Sequence, residues 1–321
     1  MRCFNMRKMS TNEELNIPWI ESPAFEHFLE ESELDVSTRE KVKFFADEGY
    51  LLLDLDIPDF EELARRIVTE CSRRADYQVR LMDAWEEIPE VKRLAILPEI
   101  LSLLRSLYRR KPAAMQTLNF GRGTEQRPHA DSFHFNSVPA GFVCGVWIAL
   151  EPIDENNGPI VYYPRSHKLP YLDHSHFGHL GSRQKGHELY PIYEERMGRL
   201  LERAGLQPRT FSGPAGRALL WAGNLVHGGA PVRDRKRTRH SQVTHYYFEN
   251  CLYYQPQRSD PFLGRIEWLH RKDVATGAYL PQIYGGKKAA VRMTPMQRLK
   301  HVARRCGLVS LVHKIKSKRQ A

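Results

Sequence analysis

Apolar residues in the first third of the chain recur at the spacing of amphipathic helices. Ser37 and Glu40 form a capping-box pattern at the start of the first such segment, which turns extended at Gly49. Residues 59–74 and 98–109 repeat apolar positions every three or four residues. The pattern therefore predicts several helices and one early strand in this part of the chain.

Beyond residue 111 the pattern changes to short apolar runs that are rich in β-branched and aromatic residues. Gly, Pro or Asn bounds the runs MQTLNF, GFVCGVWIAL, PIVYYP, RALLWA and SQVTHYYFE, as is typical of antiparallel strands. A helical pattern over residues 190–204 interrupts them. Helices first and strands afterwards predict an α+β fold with a mostly β core, a sandwich or barrel of the jelly-roll kind.

These patterns divide the chain into three parts. Residues 1–36 show no sustained period and predict a loosely attached N-terminal arm. Residues 37–286 form the predicted β domain, with flanking N-terminal helices and a helical insertion near residues 170–206. Residues 287–321 combine an apolar stripe with many basic residues and predict a basic amphipathic helical tail.

The positive charge of the protein belongs to that tail. The 321-residue chain has a net charge of +10, but residues 287–321 hold eleven Lys and Arg and no Asp or Glu, so the remainder carries −1. A neutral body argues against nucleic-acid binding as the main function. For the tail three roles stay open: a solvated end, a contact with an acidic partner, or peripheral binding to an anionic membrane surface.

Nothing in the sequence predicts export or membrane insertion. The longest apolar runs fall short of the roughly 20 residues that span a bilayer, and the basic start has no apolar segment behind it. The five cysteines are odd in number and lack CxxC spacing, which argues against a disulfide framework or a zinc module. We expect a cytoplasmic protein, and the tail leaves open a peripheral contact with the inner face of the membrane.

One short motif carries candidate metal chemistry. His129 and Asp131 follow a predicted strand, and alternate residues of an extended chain point to the same side. His227 stands at the end of a later strand, in WAGNLVHGGAP. Two imidazoles and one carboxylate are the facial ligand set of non-haem Fe(II) oxygenases. Arg239, at the head of the next strand, suits the distal carboxylate of a 2-oxoglutarate co-substrate, because a guanidinium binds a carboxylate through two parallel hydrogen bonds.

The sequence also resembles the phytanoyl-CoA dioxygenase-like family of Fe(II)- and 2-oxoglutarate-dependent oxygenases. The resemblance rests on four blocks in order, FFADEGYLLL, HADSFHF, VWIALEPIDENNGPIVYYPRSHKLP and GNLVHGGAPVRDRKRTRHS, which cover residues 40–250 with gaps. The third block is the most specific, because Asn-Gly-Pro and Pro-x-Ser-His follow an apolar strand and an acidic turn. Arg165 and Arg217 depart from the family pattern, which has Gly and Asp there. The resemblance implies a double-stranded β-helix, the cupin-like form of the jelly roll.

The resemblance also implies roles for single residues. It implies that the iron ligands are His129, Asp131 and His227, and that Arg239 anchors the distal carboxylate of 2-oxoglutarate. The other residues that it places beside the co-substrate are Ser241, Trp147 and Gln116, with Asn119 as a weaker candidate. The residues that it places at the substrate opening are Ser132 and His134. Three further arginines in the same loop, Arg233, Arg235 and Arg237, remain rivals of Arg239.

The function that follows from the resemblance is an Fe(II)/2-oxoglutarate-dependent dioxygenase that uses O2 to hydroxylate a small or carrier-linked organic molecule. The carboxylate of Asp131 favours hydroxylation, because related halogenases have a small residue at that position. His134, Arg165 and the histidine-rich segment before residue 180 favour a polar or anionic substrate. Two alternatives stay open: a non-catalytic jelly-roll scaffold recruited by its tail, and a metal oxygenase that does not use 2-oxoglutarate.

Overall fold

Seven helices and fourteen strands make up the part of the chain that the computed structural model describes, residues 15–178 and 186–291. The helices are α1 (Phe25–Glu30), α2 (Val36–Glu48), α3 (Phe60–Ser72), α4 (Pro89–Ala95), α5 (Pro98–Tyr108), α6 (Asp131–His134) and α7 (Gly186–Arg203). The strands are β1 (Tyr50–Asp54), β2 (Leu81–Met82), β3 (Pro112–Phe120), β4 (His129–Ala130), β5 (Asn136–Val138), β6 (Val143–Ala149), β7 (Ile160–Tyr162), β8 (Arg209–Thr210), β9 (Arg217–Ala222), β10 (Val226–Gly229), β11 (Ser241–Phe248), β12 (Leu252–Tyr254), β13 (Ile283–Tyr284) and β14 (Lys287–Lys288).

The start of α2 differs from the prediction by two residues. Asp35, not Ser37, is the N-cap, and its carboxylate accepts hydrogen bonds from the backbone nitrogen and the hydroxyl of Thr38. A carboxylate at this position satisfies an unpaired N–H and interacts favourably with the positive end of the helix dipole. The helix ends at Gly49, whose φ of 81° turns the chain into β1.

The N-terminal residues that the structure describes pack firmly on the domain, which corrects the expectation of a loosely attached arm. Trp19 is 2% exposed, and its indole nitrogen donates a hydrogen bond to the carbonyl oxygen of Leu107, 2.8 Å away in α5. Its ring packs edge-on against Phe25 of α1. Two buried aromatic side chains thus anchor this segment to the domain. They do not recur at a helical spacing, so hydrophobic periodicity alone does not predict the contact.

Two antiparallel sheets form the β core. The larger has the strand order β1-β9-β6-β11-β3-β2, and the smaller has the order β4-β10-β7-β8. Side chains from both sheets meet in one apolar cluster, which includes Trp147 of β6, Val243 of β11 and Ile160 of β7. This arrangement of mixed helices and antiparallel sheets agrees with the predicted α+β class, and the packing of two sheets face to face is the one that a jelly roll requires.

Alternation along the central strands decides which side chains face the interior between the sheets. In β6, Val146 and Ile148 pack with residues of the N-terminal helices, whereas Trp147 between them points to the second sheet. Helices α2 to α5 therefore cover one face of the larger sheet, and the smaller sheet covers the other. The same alternation in β11 turns Ser241, Val243 and His245 toward the space between the sheets.

The insertion and the tail flank this core. Helix α7 lies within the predicted insertion, and Tyr193 stacks on Phe133 of α6 with ring centroids 3.9 Å apart. Lys287 and Lys288, the first residues of the predicted helical tail, instead form β14, which pairs with β13. The rest of the predicted helical tail, from residue 292 onward, lies outside the described residues. No helix in the described ranges is long and apolar enough to cross a membrane.

The cysteines within the described ranges are free thiols, in line with the sequence. Cys71, Cys144 and Cys251 are each buried. Burial raises the pKa of Cys71 and of Cys251 to about 12, so neither is a thiolate at neutral pH. These residues fill the core and supply no ligand to the site described next.

Candidate metal centre and cofactor cavity

Two strand partners bring the predicted ligands together. His129 of β4 lies directly opposite His227 of β10 in the ladder, and their ring centroids are 4.6 Å apart. Asp131 follows two residues later, at the first position of α6. Ligand atoms of His129, Asp131 and His227 all lie within 4.8 Å of one another, and the three residues are buried.

Backbone contacts fix the ring orientation of both histidines. The Nδ1 of His129 lies 3.0 Å from the carbonyl oxygen of Arg127, and the Nδ1 of His227 lies 3.0 Å from that of Leu225. A carbonyl oxygen only accepts, so each Nδ1 carries a proton, and in the neutral ring Nε2 keeps the lone pair that a metal ion needs. Burial, and then the proximity of His227, lower the pKa of His129 to about 3, which keeps its ring neutral as a metal ligand must be.

The carboxylate of Asp131 is held by two residues that sequence reasoning missed. The indole nitrogen of Trp221 donates to Oδ2 over 2.8 Å, and Nε2 of His245 lies 3.2 Å from the same oxygen. The other oxygen, Oδ1, lies 3.9 Å from Nε2 of His227. Burial alone would raise the pKa of Asp131, but the imidazoles of His245 and His227 outweigh it and hold that pKa well below its usual range.

A glycine makes the contact between Trp221 and Asp131 sterically possible. Gly145 of β6 lies between Trp221 of β9 and His245 of β11 in the sheet register. A Cβ atom at Gly145 would overlap the indole ring of Trp221. The sequence therefore indicates these two contacts with Asp131 only indirectly. Strand alternation places His245 on the same face as Ser241, but the position of Trp221 beside it depends on a strand register that only the folded sheet defines.

The three candidate ligands line one cavity of about 460 Å³ between the two sheets. Arg239 lies in the same cavity, 3% exposed, with its guanidinium carbon 5.5 Å from the ring centre of Phe120 and 5.7 Å from that of Trp147. Its Nη2 donates to the carbonyl oxygen of Arg122, 3.2 Å away, whereas its Nε has no partner among the described residues. Burial lowers the pKa of Arg239 to about 10, so it remains a cation at neutral pH.

The three rival arginines of the same loop lie elsewhere. Arg233 binds Glu155, Arg235 binds Glu125 and Arg237 binds Asp154, each in an ion pair on the protein surface. None of the three lines the cavity. Geometry thus separates Arg239 from its neighbours in a way that the sequence RDRKRTRHS does not.

The residues that the sequence placed beside a co-substrate divide into two groups. Trp147 and Gln116 line the cavity. Ser241 follows Arg239 and His240 as the first residue of β11. It is buried, and its hydroxyl has no partner within the described ranges. Asn119 does not line the cavity, because its side-chain amide donates to Gln242 over 3.2 Å. The structure therefore places Trp147 and Gln116 in the cavity with the candidate ligands, whereas Ser241 and Asn119 do not line it.

The two candidates for the substrate opening also separate. His134 lines the cavity, where its Nδ1 lies 3.3 Å from Gln257 and its Nε2 lies 3.1 Å from the hydroxyl of Tyr190. Ser132 lies outside the cavity lining, and its hydroxyl donates to Asn224 over 2.7 Å. The expectation that Ser132 faces the substrate is thus corrected, because the turn of α6 directs it toward the loop after β9.

Two other sequence features contribute outside the cavity. Arg165, which replaces the glycine of the family turn, is exposed and adopts a left-handed φ of 69°, a conformation that glycine adopts more readily. His174 lies beneath Gln257, whose backbone oxygen is 2.7 Å from its Nε2, and so supports the cavity wall. Neither residue lines the cavity, so the argument for a polar substrate cannot rest on Arg165 or His174.

The sequence of this chain matches a known protein family. The family model described as "Phytanoyl-CoA dioxygenase (PhyH)" matches residues 28–241, more than half of the chain. The relatives named "Phytanoyl-CoA dioxygenase, peroxisomal" include the bovine protein, 28% identical over 174 residues, and the human protein, 26% identical over 196 residues. These matches cover 45% and 52% of this chain and 52% and 58% of the relatives, so the chain matches little more than half of their length.

Solved structures share the fold at low sequence identity. The epimerase SnoN, in complex with Fe3+, alpha ketoglutarate and nogalamycin RO, aligns with a TM-score of 0.53 and 19% identity over 76% of this chain and 95% of that one. EctD from S. alaskensis, with 2-oxoglutarate and 5-hydroxyectoine, aligns with a TM-score of 0.51 and 18% identity over 67% of this chain and 76% of that one. These alignments support the predicted jelly roll for the domain.

Proposed function

Because this chain belongs to the phytanoyl-CoA dioxygenase family, we propose that it is an Fe(II)- and 2-oxoglutarate-dependent dioxygenase. The observation that carries the proposal is the arrangement of His129, Asp131 and His227 in one buried cavity with Arg239. The match of the family model to residues 28–241 supports it independently of that geometry.

The donor set fits an iron(II) ion. Two neutral imidazole nitrogens and one carboxylate oxygen are the ligands that non-haem Fe(II) sites use, and they leave positions open for a co-substrate and O2. The Nε2 atoms of His129 and His227 and the carboxylate of Asp131 would hold the ion. When bound, iron supplies the redox chemistry that couples the oxidative decarboxylation of 2-oxoglutarate to oxidation of the substrate.

The unpaired polar atoms near Arg239 fit the distal carboxylate of 2-oxoglutarate. The Nε of Arg239 and the hydroxyl of Ser241 are buried without partners in the described chain, and a buried donor without an acceptor costs free energy. A carboxylate would satisfy both groups, and it would offset the buried charge of the guanidinium. Trp147 and Phe120 exclude water beside it.

The residues around the metal ligands prepare the site for that chemistry. Arg127 and Leu225 hold the two imidazoles by their backbone oxygens, and Trp221 and His245 bind one carboxylate oxygen of Asp131. Groups of this kind fix ligand orientation before the metal binds. The carboxylate at position 131 favours hydroxylation of a small or carrier-linked substrate over transfer of a halide, since no ligand position is left vacant by a small residue.

Iron- and 2-oxoglutarate-dependent formation of succinate tests this proposal. Purified protein with Fe(II), 2-oxoglutarate, ascorbate and O2 should form succinate, and His227→Ala should abolish the reaction. Succinate formation in wild type that a chelator does not stop would contradict the iron assignment. Metal binding without any 2-oxoglutarate binding would favour the alternative, a metal oxygenase with another co-substrate, and binding of neither would favour a scaffold.

We further propose that the basic segment 287–321 brings the enzyme to an anionic membrane surface from the cytoplasmic side. The charge of this segment supports the proposal, because each basic residue near an anionic leaflet contributes on the order of 1 kcal/mol. Sedimentation with phosphatidylserine vesicles should fall sharply when residues 292–321 are deleted. Unchanged sedimentation would leave the tail as a solvated end or a contact for an acidic partner.

A further inference from the structure

The lining of the cavity carries more positive charge than the proposed iron and 2-oxoglutarate chemistry uses. Among its described residues the only carboxylate is Asp131, whereas four arginines line it: Arg80, Arg239, Arg258 and Arg271. Asp131 is the candidate metal ligand and Arg239 the candidate anchor of 2-oxoglutarate. Three guanidinium groups therefore face the same space without a role in that chemistry.

These three arginines, which we call the rim arginines, come from separate parts of the chain. Arg80 precedes β2, Arg258 ends a short 3-10 turn over Pro256–Arg258, and Arg271 lies in the segment between that turn and β13. Arg80 and Arg258 are exposed and Arg271 is half-buried, so the three line the cavity from its solvent side. Like charges that converge there repel one another, and a bound anion would offset that repulsion.

We call the part of the cavity lining that holds the rim arginines, Gln255, Gln257 and His134 the outer wall. Apart from the arginines, it offers neutral polar groups in place of counter-charges. The side-chain oxygen of Gln257 accepts hydrogen bonds from the Gln255 amide and from Nδ1 of His134, both over 3.3 Å. Burial lowers the pKa of His134, so its ring adds no further charge at neutral pH. The Nε of Arg271 is buried and has no partner in the described residues. A donor of this kind is a place for an acceptor that the described chain itself does not supply.

We propose that the rim arginines bind an oxyanion of the substrate, a carboxylate or a phosphate, at the end remote from the carbon that is oxidised. The inference rests on the proposed function, because it takes the inner end of the cavity to be occupied by metal and 2-oxoglutarate. A guanidinium presents parallel donors that match two oxygens of either group, which makes arginine the side chain suited to this task. The substrate class is thus a small anionic molecule or the anionic head of a carrier.

The test compares three probes that share one body and differ in the head group. Full-length protein with Fe(II) and saturating 2-oxoglutarate under anaerobic conditions is titrated calorimetrically with 3-phenylpropionate, 3-phenylpropyl phosphate and the neutral 3-phenylpropanamide. Saturating 2-oxoglutarate keeps Arg239 occupied, so a probe anion reports on the outer wall. We expect at least one anionic probe to bind about tenfold or more tighter than the amide, since a charge-assisted pair of hydrogen bonds supplies that difference.

The variants locate the binding. Arg271→Gln and Arg258→Gln should each weaken the preferred anion about tenfold and leave the amide unchanged. Arg265→Gln is the matched control, because Arg265 is exposed in the same segment of the chain and does not line the cavity. The preference between carboxylate and phosphate identifies the source of the oxyanion.

Three results would overturn the inference: equal binding of amide and anions, no binding of either anion at millimolar concentration, or anion binding that Arg271→Gln and Arg258→Gln do not change. The visible band of 2-oxoglutarate chelated to Fe(II) is recorded in the same samples before any probe is added. If the band is absent, the proposed function fails. If the band is present and the probes do not discriminate, only the oxyanion site fails.

Discussion

The two ends of the cavity are built in different ways. At the inner end, His129 and His227 lie opposite each other in one ladder, and His245 lies on β11 of the other sheet, where it pairs with Gly145. At the outer end, Arg258 and Arg271 lie on irregular segments that follow the last long strand. The candidate metal ligands at the inner end are buried and held by internal hydrogen bonds, whereas the outer end presents arginine donors to an entering molecule.

This difference separates the two tasks of the proposed enzyme. Metal ligands must be held within a narrow geometry, which hydrogen-bonded strands provide better than loops. Substrate selection changes among relatives of one fold, and irregular segments tolerate substitution without loss of the core. We therefore expect changes at the inner end to abolish metal or co-substrate binding, and changes at the outer end to alter only which molecule binds.

The largest expected effect is loss of a metal ligand. His227→Ala should weaken Fe(II) binding by more than about 100-fold, the upper range for loss of groups that only support a ligand. Anaerobic calorimetry with Fe(II) measures it. His167→Gln is the control, a buried histidine that donates to the carbonyl oxygen of Ala46 away from the cavity. Equal iron affinity in wild type and His227→Ala would remove His227 from the ligand set.

Next in size is the loss of the buried cation. Arg239→Leu should weaken 2-oxoglutarate binding by about 2–5 kcal/mol, because the co-substrate carboxylate would be left buried and unpaired. Iron binding should stay unchanged. Arg237→Leu, which removes a surface ion pair with Asp154, should change 2-oxoglutarate affinity by no more than about 0.5 kcal/mol. A larger effect at Arg237 than at Arg239 would reverse the assignment.

A smaller effect is expected from the residues that hold Asp131. Trp221→Phe removes the indole donor to Oδ2, and iron affinity should fall about 10- to 100-fold. Trp147→Phe is matched to it, because the indole nitrogen of Trp147 has no partner in the described chain. Iron titrations in the absence of 2-oxoglutarate compare the two. Equal losses in both variants would mean that packing, not the hydrogen bond, explains the effect.

The smallest expected difference concerns local stability. Backbone amides of β11, which pairs with strands on both sides, should exchange with deuterium at least about tenfold more slowly than those of residues 257–271. Hydrogen-exchange mass spectrometry on the metal-free protein measures this difference. Similar protection in both segments would show that the outer wall is as rigid as the inner one, and would weaken the separation of tasks.

The contrast also explains what the sequence could predict. The sequence predicts His129, Asp131 and His227 because a short motif and strand alternation are local properties. It predicts Arg239 because this residue precedes a strand in an expected order. It does not predict Trp221 and His245, since their contact with Asp131 depends on a register set by strands distant in sequence and on the absence of a side chain at Gly145. The rim arginines follow no period, so only the fold brings them together.

Two other errors have the same origin. The N-terminal segment packs through Trp19 and Phe25, which form contacts across the chain without a repeating pattern. Ser132 points away from the cavity because α6 begins at Asp131 and rotates the next side chain out of the extended alternation. In each case a long-range contact or a change of backbone conformation overrode a local rule.

The proposed function requires one cavity to bind Fe(II) and 2-oxoglutarate together. An anaerobic titration of the metal-free protein with Fe(II) and then 2-oxoglutarate tests it most directly, through the visible charge-transfer band of the chelated keto acid. We expect wild type to develop the band, His129→Ala and His227→Ala to lose it, and Arg239→Leu to need far more 2-oxoglutarate to form it. Iron binding by wild type without a band at any 2-oxoglutarate concentration would contradict the proposed role of 2-oxoglutarate.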